Sequence, residues 1–95
     1  MTPCIAWCQQ RCLYCWRTHK LVTPDVRWDE PETVIKESIG AQRVLLTGYY
    51  GLLDRVDKAK LEEAMNPNQV AISLAGEPTL YPHLSGLIEL SLIHI

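Results

Sequence analysis

The chain has 95 residues, of which 47% are hydrophobic and 21% charged. This is the composition of one small folded domain, which excludes a disordered or collagenous chain. The sequence has neither an apolar run of about 18 residues nor a basic stretch followed by an apolar core at its start. It therefore predicts no membrane partner and a cytoplasmic protein. The net charge of -2 divides into +3 for residues 1–28 and -5 for the rest, which favours an anionic partner near the N-terminal third.

The first half of the chain predicts a strand, a loop and two helices. Residues 2–7 are short, apolar and interrupted by proline, as in a buried strand that carries residues 8–17 as a loop at its end. Residues 18–28 predict a surface connection. Acidic residues around Pro31 predict a helix start there, and the apolar spacing in residues 57–65 predicts a second helix.

The second half repeats the order of strand, loop and helix. Residues 69–74 (QVAISL) are a β-branched apolar run of strand length, followed by the loop of residues 75–79. A last helix is expected from about Pro82. Two strands that alternate with helices predict the start of a parallel α/β fold.

The last six residues, 90–95 (LSLIHI), differ from the preceding pattern. One codon choice for them matches the end of a common transposon-based sequencing adapter. We therefore interpret residues 90–95 as a non-native tail and residues 1–89 as the part that bears on the fold.

All four cysteines lie close together, at Cys4, Cys8, Cys12 and Cys15. A disulfide framework spreads its cysteines along the chain, because a bridge gains stability by closing a loop. This cluster closes no useful loop, and the chain has no predicted export signal. The cysteines are therefore predicted to bind a metal or an inorganic cluster.

The spacing alone leaves two kinds of site open. Cys8, Cys12 and Cys15 can hold a four-iron cluster with one iron free of side-chain ligands, which is the arrangement that reactivity requires. The alternative is a zinc site in which Cys4 or His19 is the fourth ligand. Tyr14 suits stacking on a nucleoside, although taken alone it is interpreted as a core residue.

The cysteine loop together with the loop of residues 75–79 resembles the radical SAM superfamily. The resemblance rests on CxxxC, an aromatic residue and Cys after one strand, and Gly-Glu-Pro after the next. It implies the first two βα units of a partial TIM-like radical SAM barrel, with both loops on one face. It also implies a 4Fe-4S cluster and S-adenosylmethionine as cofactors. The implied metal ligands are Cys8, Cys12 and Cys15, and the implied cofactor-binding residues are Tyr14, Gly76, Glu77 and Pro78.

Within that superfamily, residues 1–89 most resemble the archaeal 4-demethylwyosine synthases of the wybutosine pathway. The pieces that carry the likeness are AWC at 6–8, RCLYCWR at 11–17, EAMNP at 63–67 and AISLAGEPTLYP at 71–82. The resemblance implies a lyase that builds 4-demethylwyosine from N1-methylguanosine in phenylalanine tRNA and from pyruvate. It also implies an electron donor such as flavodoxin or ferredoxin.

The chain also departs from that family. The family has a second 4Fe-4S cluster and a pyruvate-binding lysine in an upstream region, so this chain is expected to be a fragment truncated at both ends. Cys4 stands where relatives have a small residue, and we interpret it as a buried, inert cysteine. Another radical SAM enzyme and a non-catalytic zinc-binding interaction module remain the alternatives.

An RNA-binding surface is one interpretation of the basic and aromatic residues near the cysteines. Basic groups and aromatic rings bind splayed RNA bases. The equally weighted alternative is that the aromatic rings pack in the core and the charges are solvated. The residues concerned are Arg11, Arg17, Lys20, Arg27, Trp16 and Trp28.

Overall fold

The computed structural model describes residues 1–5, 7–17 and 27–94. In these ranges the chain forms three α-helices: α1 (Pro31–Leu46), α2 (Lys58–Met65) and α3 (Leu84–His94). Two 3-10 helices, Thr47–Leu52 and Pro78–Leu80, lie between them. None of these helices is long and apolar enough to cross a membrane.

The two predicted helix starts in the middle of the chain are confirmed. Pro31 occupies the first turn of α1, where its missing N–H costs no hydrogen bond. Asp57 precedes α2, and its carboxylate accepts hydrogen bonds from the amides of Ala59 and Lys60 at 3.0 and 3.2 Å. Such a cap satisfies amide groups that have no partner inside the helix.

The predicted α/β fold, with the first two βα units of a barrel, is wrong for the described residues, which contain helices but no strand or sheet. The N-terminal segment does lie beside the segment after α2. Met1 donates from its amine to the carbonyl of Ala71 at 2.8 Å, and the amide of Ser73 donates to the carbonyl of Met1 at 2.9 Å. A β-ladder needs such bonds repeated along both segments, and Pro3 has no N–H to give.

A backbone reversal also ends the apolar run that predicted the second strand. Leu74 has a φ of 103°, a left-handed conformation that is an outlier for a bulky side chain. Its side chain is 81% exposed. The β-branched composition of residues 69–74 therefore reports an extended segment partly packed on the helices, and not membership of a sheet.

The core lies where α1 and α3 pack against the N-terminal segment. Its buried members are Cys4, Ile35, Tyr81 and Leu87. The hydroxyl of Tyr81 donates to the carbonyl of Asp29 at 2.5 Å, and burial raises the pKa of this phenol above its usual value, with the nearby Glu30 and Asp29 adding to the effect. This core fixes the start of the cysteine loop, because Cys4 is one of its members.

The predicted non-native tail contributes to the last helix. Residues 90–94 continue α3 to its end. Ser91 is buried, and its hydroxyl donates to the carbonyl of Ile88 at 2.7 Å. These contacts do not bear on where the tail comes from, so its origin stays a prediction.

We expect Leu87→Ala to lower the free energy of unfolding by about 2–5 kcal/mol, because it empties a fully buried site in this core. Urea unfolding followed by circular dichroism measures the loss. Ile88→Ala is the matched control, since Ile88 follows Leu87 in the sequence and is 44% exposed. Equal losses for the two variants would contradict the assignment of Leu87 to the core.

Candidate cofactor-binding site

The cysteine loop, defined here as residues 8–17, contains one backbone turn and is tied back at its C-terminal end by a side-chain hydrogen bond. The amide of Cys15 donates to the carbonyl of Cys12 at 3.1 Å, which forms a tight turn around Leu13 and Tyr14. The guanidinium of Arg17 donates to the carbonyl of Ile5. The end of the loop thus returns to the segment from which the loop begins.

The three thiols of the loop differ from the thiol of Cys4 in exposure. Cys8 and Cys12 are half-buried and Cys15 is exposed, and all are free. Cys4 is 2% exposed, as predicted, and its thiol donates to the carbonyl of Trp7 at 3.3 Å. In the part of the chain that the structure describes, no three His, Cys, Asp or Glu side chains are gathered as metal ligands. The loop thus offers accessible thiols, and His19 lies outside the described residues.

Tyr14 is not a core residue, which corrects the interpretation of this position taken alone. Its side chain is 89% exposed beside the thiols. A side-chain hydrogen bond with Cys12 raises the pKa of Tyr14 above its usual value, and the charges of Cys12 and Cys15 add to this effect. The phenol ring is free to contact a molecule bound at the loop.

The loop of residues 75–78, called the glycine loop here, packs directly on the backbone before the cysteine loop. Gly76 has a φ of 70°, and a Cβ at this position would lie 1.7 Å from the carbonyl oxygen of Cys4. The sequence predicts that Gly76 admits a ligand, but the group that it admits in this structure is the Cys4 peptide. Contact of Gly76 with a ligand remains a prediction.

Glu77 is held at both its backbone and its side chain. Its amide donates to the carbonyl of Trp7 at 3.1 Å. Its carboxylate oxygen Oε1 accepts hydrogen bonds from the amide and the hydroxyl of Thr79, at 3.1 and 2.8 Å. Pro78 begins the short 3-10 helix that this carboxylate caps. The carboxylate therefore has a fixed orientation and is half-buried.

The two loops predicted to meet are joined through Trp7, the residue before Cys8. Its carbonyl accepts from both Cys4 and Glu77. A further bond runs from the hydroxyl of Thr2 to the carbonyl of Ala75 at 2.7 Å. Sequence analysis missed Thr2, since a single threonine beside a proline gives no pattern. Thr79 was missed as well, because Glu is not among the residues that usually cap the start of a helix.

The basic and aromatic residues divide between surface and core. Trp16 is 73% exposed on the cysteine loop, and Arg11 is exposed. Trp28 instead packs edge-on against Tyr81 with ring centres 5.8 Å apart, as part of the core contacts. Arg27 is exposed, and Lys20 lies outside the described residues.

Comparison with known proteins gives a consistent result. The chain is 50% identical over 95 residues to the "S-adenosyl-L-methionine-dependent tRNA 4-demethylwyosine synthase" of Pyrococcus horikoshii, covering 94% of this chain and 27% of that protein. It is 44% identical over 96 residues to the Methanocaldococcus jannaschii enzyme of the same name, covering 94% and 31%. A solved structure described as "Structure of TYW1 with a lysine-pyruvate adduct bound" matches with a TM-score of 0.83 and 47% identity, covering 95% of this chain and 30% of that one.

The chain is a homologue of one segment of the 4-demethylwyosine synthases. It spans about a third of the length of these relatives. No protein-family model matches the chain. Identity of 44–50% over nearly the whole of this chain confirms the resemblance predicted from the cysteine loop and the glycine loop.

The loop thiols of this 4-demethylwyosine synthase homologue are the kind of ligand that a 4Fe-4S cluster takes, although the structure does not gather three of them around one point. Cys8, Cys12 and Cys15 are free and reachable on one loop, whereas Cys4 is buried and donates to Trp7. Three thiolates leave one iron of a four-iron cluster open to another ligand. The carboxylate of Glu77, on the glycine loop that bonds to Trp7, is suited to accept hydrogen bonds from an ammonium group.

Proposed function

We propose that residues 1–89 are part of a radical SAM 4-demethylwyosine synthase. This enzyme, a lyase, converts N1-methylguanosine in phenylalanine tRNA and pyruvate to 4-demethylwyosine. The observation that carries the proposal is the hydrogen bond from the Glu77 amide to the Trp7 carbonyl, because it joins the glycine loop to the residue before Cys8. The names of the relatives support the same activity.

In this proposal each residue has a distinct task. Cys8, Cys12 and Cys15 hold the 4Fe-4S cluster. When bound, the cluster supplies the electron for reductive cleavage of S-adenosylmethionine. Glu77 accepts hydrogen bonds from the amino group of this cofactor, and Thr79 orients the carboxylate.

Three further groups shape the pocket for the cofactor. Gly76 and Pro78 set the path of the glycine loop around the cofactor's amino group. Tyr14, exposed beside the thiols, covers the nucleoside.

Metal analysis distinguishes this proposal from the zinc-binding alternative. The full-length protein is reconstituted anaerobically with iron and sulfide, in parallel with a variant lacking the three loop cysteines. We expect a brown wild-type protein that holds about four more irons per chain than the variant. A colourless protein with one zinc would contradict the proposal.

Product analysis distinguishes this enzyme from other radical SAM enzymes. The reconstituted protein is incubated with S-adenosylmethionine, pyruvate, a reductant and phenylalanine tRNA that carries N1-methylguanosine. The expected result is 4-demethylwyosine in the tRNA, detected by mass spectrometry of its nucleosides. Cleavage of S-adenosylmethionine without this product would retain the radical SAM assignment and contradict the synthase assignment.

The remaining partners in the proposal come from the resemblance. They are a flavodoxin or ferredoxin as electron donor, a second 4Fe-4S cluster and a pyruvate-binding lysine in the full-length protein. Free, accessible thiols are usual in the reducing cytoplasm, which is the compartment we propose.

We expect Trp16→Ala to weaken binding of the full-length protein to phenylalanine tRNA by about fivefold to a hundredfold. Its exposed ring can stack on an unpaired base, a contact worth about 1–3 kcal/mol. Electrophoretic mobility shift at fixed salt measures the change. Tyr49→Ala is the control, since Tyr49 is an aromatic residue 49% exposed and distant in sequence from the cysteine loop. Equal binding by both variants would contradict a stacking role for Trp16.

A further inference from the structure

Thr2 and Cys4 lie in the N-terminal segment, outside both loops, and each donates a hydrogen bond to a carbonyl in or beside one of them. The hydroxyl of Thr2 donates to the carbonyl of Ala75, next to Gly76. The thiol of Cys4 donates to the carbonyl of Trp7, next to Cys8. Cys4 is buried, and the hydroxyl of Thr2 is bonded to backbone.

These bonds surround the closest backbone approach between the two segments. Gly76 lies so near the Cys4 peptide that an added Cβ would overlap its carbonyl oxygen. On one side of this contact is the bond from Thr2 to Ala75, and on the other is the bond from Glu77 to Trp7. The contact and its flanking bonds therefore determine how far Glu77 lies from the start of the cysteine loop.

We propose that Thr2 and Cys4 are positioning residues that hold the glycine loop in register with the cysteine loop. The inference rests on the proposed function, since it concerns the same cofactor site. A site binds tightly when its groups are held in place before the ligand arrives, because ordering them during binding costs free energy. Thr2 and Cys4 act on affinity for S-adenosylmethionine, and not on the number of irons bound.

The test uses Thr2→Val and Cys4→Ala in the full-length, reconstituted protein. Each removes one donor of a hydrogen bond to a loop carbonyl, which corresponds to about a threefold to tenfold change in an equilibrium constant. Equilibrium dialysis should therefore show the Kd for S-adenosylmethionine raised threefold to tenfold. The iron content should equal that of the wild type, and kcat at saturating S-adenosylmethionine should stay within twofold.

Conservative variants and a matched control separate positioning from general stability. Thr2→Ser and Cys4→Ser keep a hydrogen-bond donor and should have a Kd within twofold of the wild-type value. Thr47→Val removes a hydroxyl that donates to the carbonyl of Val44, also at 2.7 Å, but on α1. This control should leave the Kd unchanged.

Hydrogen exchange measures the junction without the cofactor. Thr2→Val and Cys4→Ala should speed exchange of the amides of residues 75–77 and leave α2 unaffected. The inference would be overturned by an unchanged Kd in both variants or by a loss of iron that parallels the loss of affinity. It would also be overturned if the serine variants did not restore the Kd. A wild-type protein that binds neither iron nor S-adenosylmethionine would contradict the proposed function instead. In that case, unchanged amide exchange at residues 75–77 in Thr2→Val and Cys4→Ala would overturn the positioning role independently.

Discussion

Alanine at Cys8, Cys12 or Cys15 is expected to abolish reductive cleavage of S-adenosylmethionine by the full-length protein. Each substitution removes one of the three thiolates proposed to hold the cluster. A cluster with only two protein ligands is not retained stably. The release of 5′-deoxyadenosine from S-adenosylmethionine, measured anaerobically with a reductant, should fall below detection in each variant.

Cys4→Ala is the matched control, because it removes a cysteine that lies close in sequence but is buried. Cleavage at saturating S-adenosylmethionine should remain mostly intact in this variant, with only the apparent affinity lowered. Loss of cleavage equal to that of the other three variants would show that the ligand set is misassigned. It would favour a site in which all four cysteines bind the metal.

The helices were predictable because their starts depend on local chemistry. Pro31 after acidic residues and Asp57 before α2 act within a single turn, so the sequence around each one carries the whole signal. The last helix begins at Leu84, two residues after the predicted start at Pro82. These features do not require knowledge of any distant part of the chain.

The sheet was predicted wrongly because strand pairing is not a local property. Residues 2–7 and 69–74 have apolar composition suited to strands, and Met1, just before the first of these segments, does bond to Ala71 and Ser73. Pairing also requires a repeated series of donors and acceptors in register, which Pro3 and the left-handed Leu74 interrupt. The family resemblance predicted the burial of Cys4 correctly, but not the backbone around it.

The candidate site was only partly accessible to sequence analysis. Spacing was sufficient to select the thiols of the cysteine loop, since three donors so close together need no tertiary information. The junction through Trp7 was not accessible, because it joins residues 70 positions apart through a backbone carbonyl. The exposure of Trp16 and the partial burial of Trp28 likewise follow from packing, whereas sequence analysis interpreted the two residues in the same way.

Gly76→Ala is expected to destabilise the fold itself, even in protein that contains no cofactor. The new Cβ would lie 1.7 Å from the Cys4 carbonyl oxygen and 3.0 Å from the Cα of Ile5, and both atoms belong to backbone that cannot turn aside as a side chain can. Alanine would also be held at a φ of 70°, which is strained for any residue with a Cβ. Overlap and strain together should lower the free energy of unfolding by about 3 kcal/mol or more.

Urea unfolding of the cofactor-free protein measures this loss, and Gly40→Ala is the control with the opposite sign. Gly40 lies within α1 with no atom within 4 Å of an added Cβ, so alanine there should stabilise the helix by about 1 kcal/mol. If the two variants were equally stable, the close contact between Gly76 and the Cys4 peptide would be contradicted. Gly76 would then be required only for contact with the ligand. The predicted loss without cofactor would instead mean that Gly76 is first required to bring the two loops together, before any ligand binds.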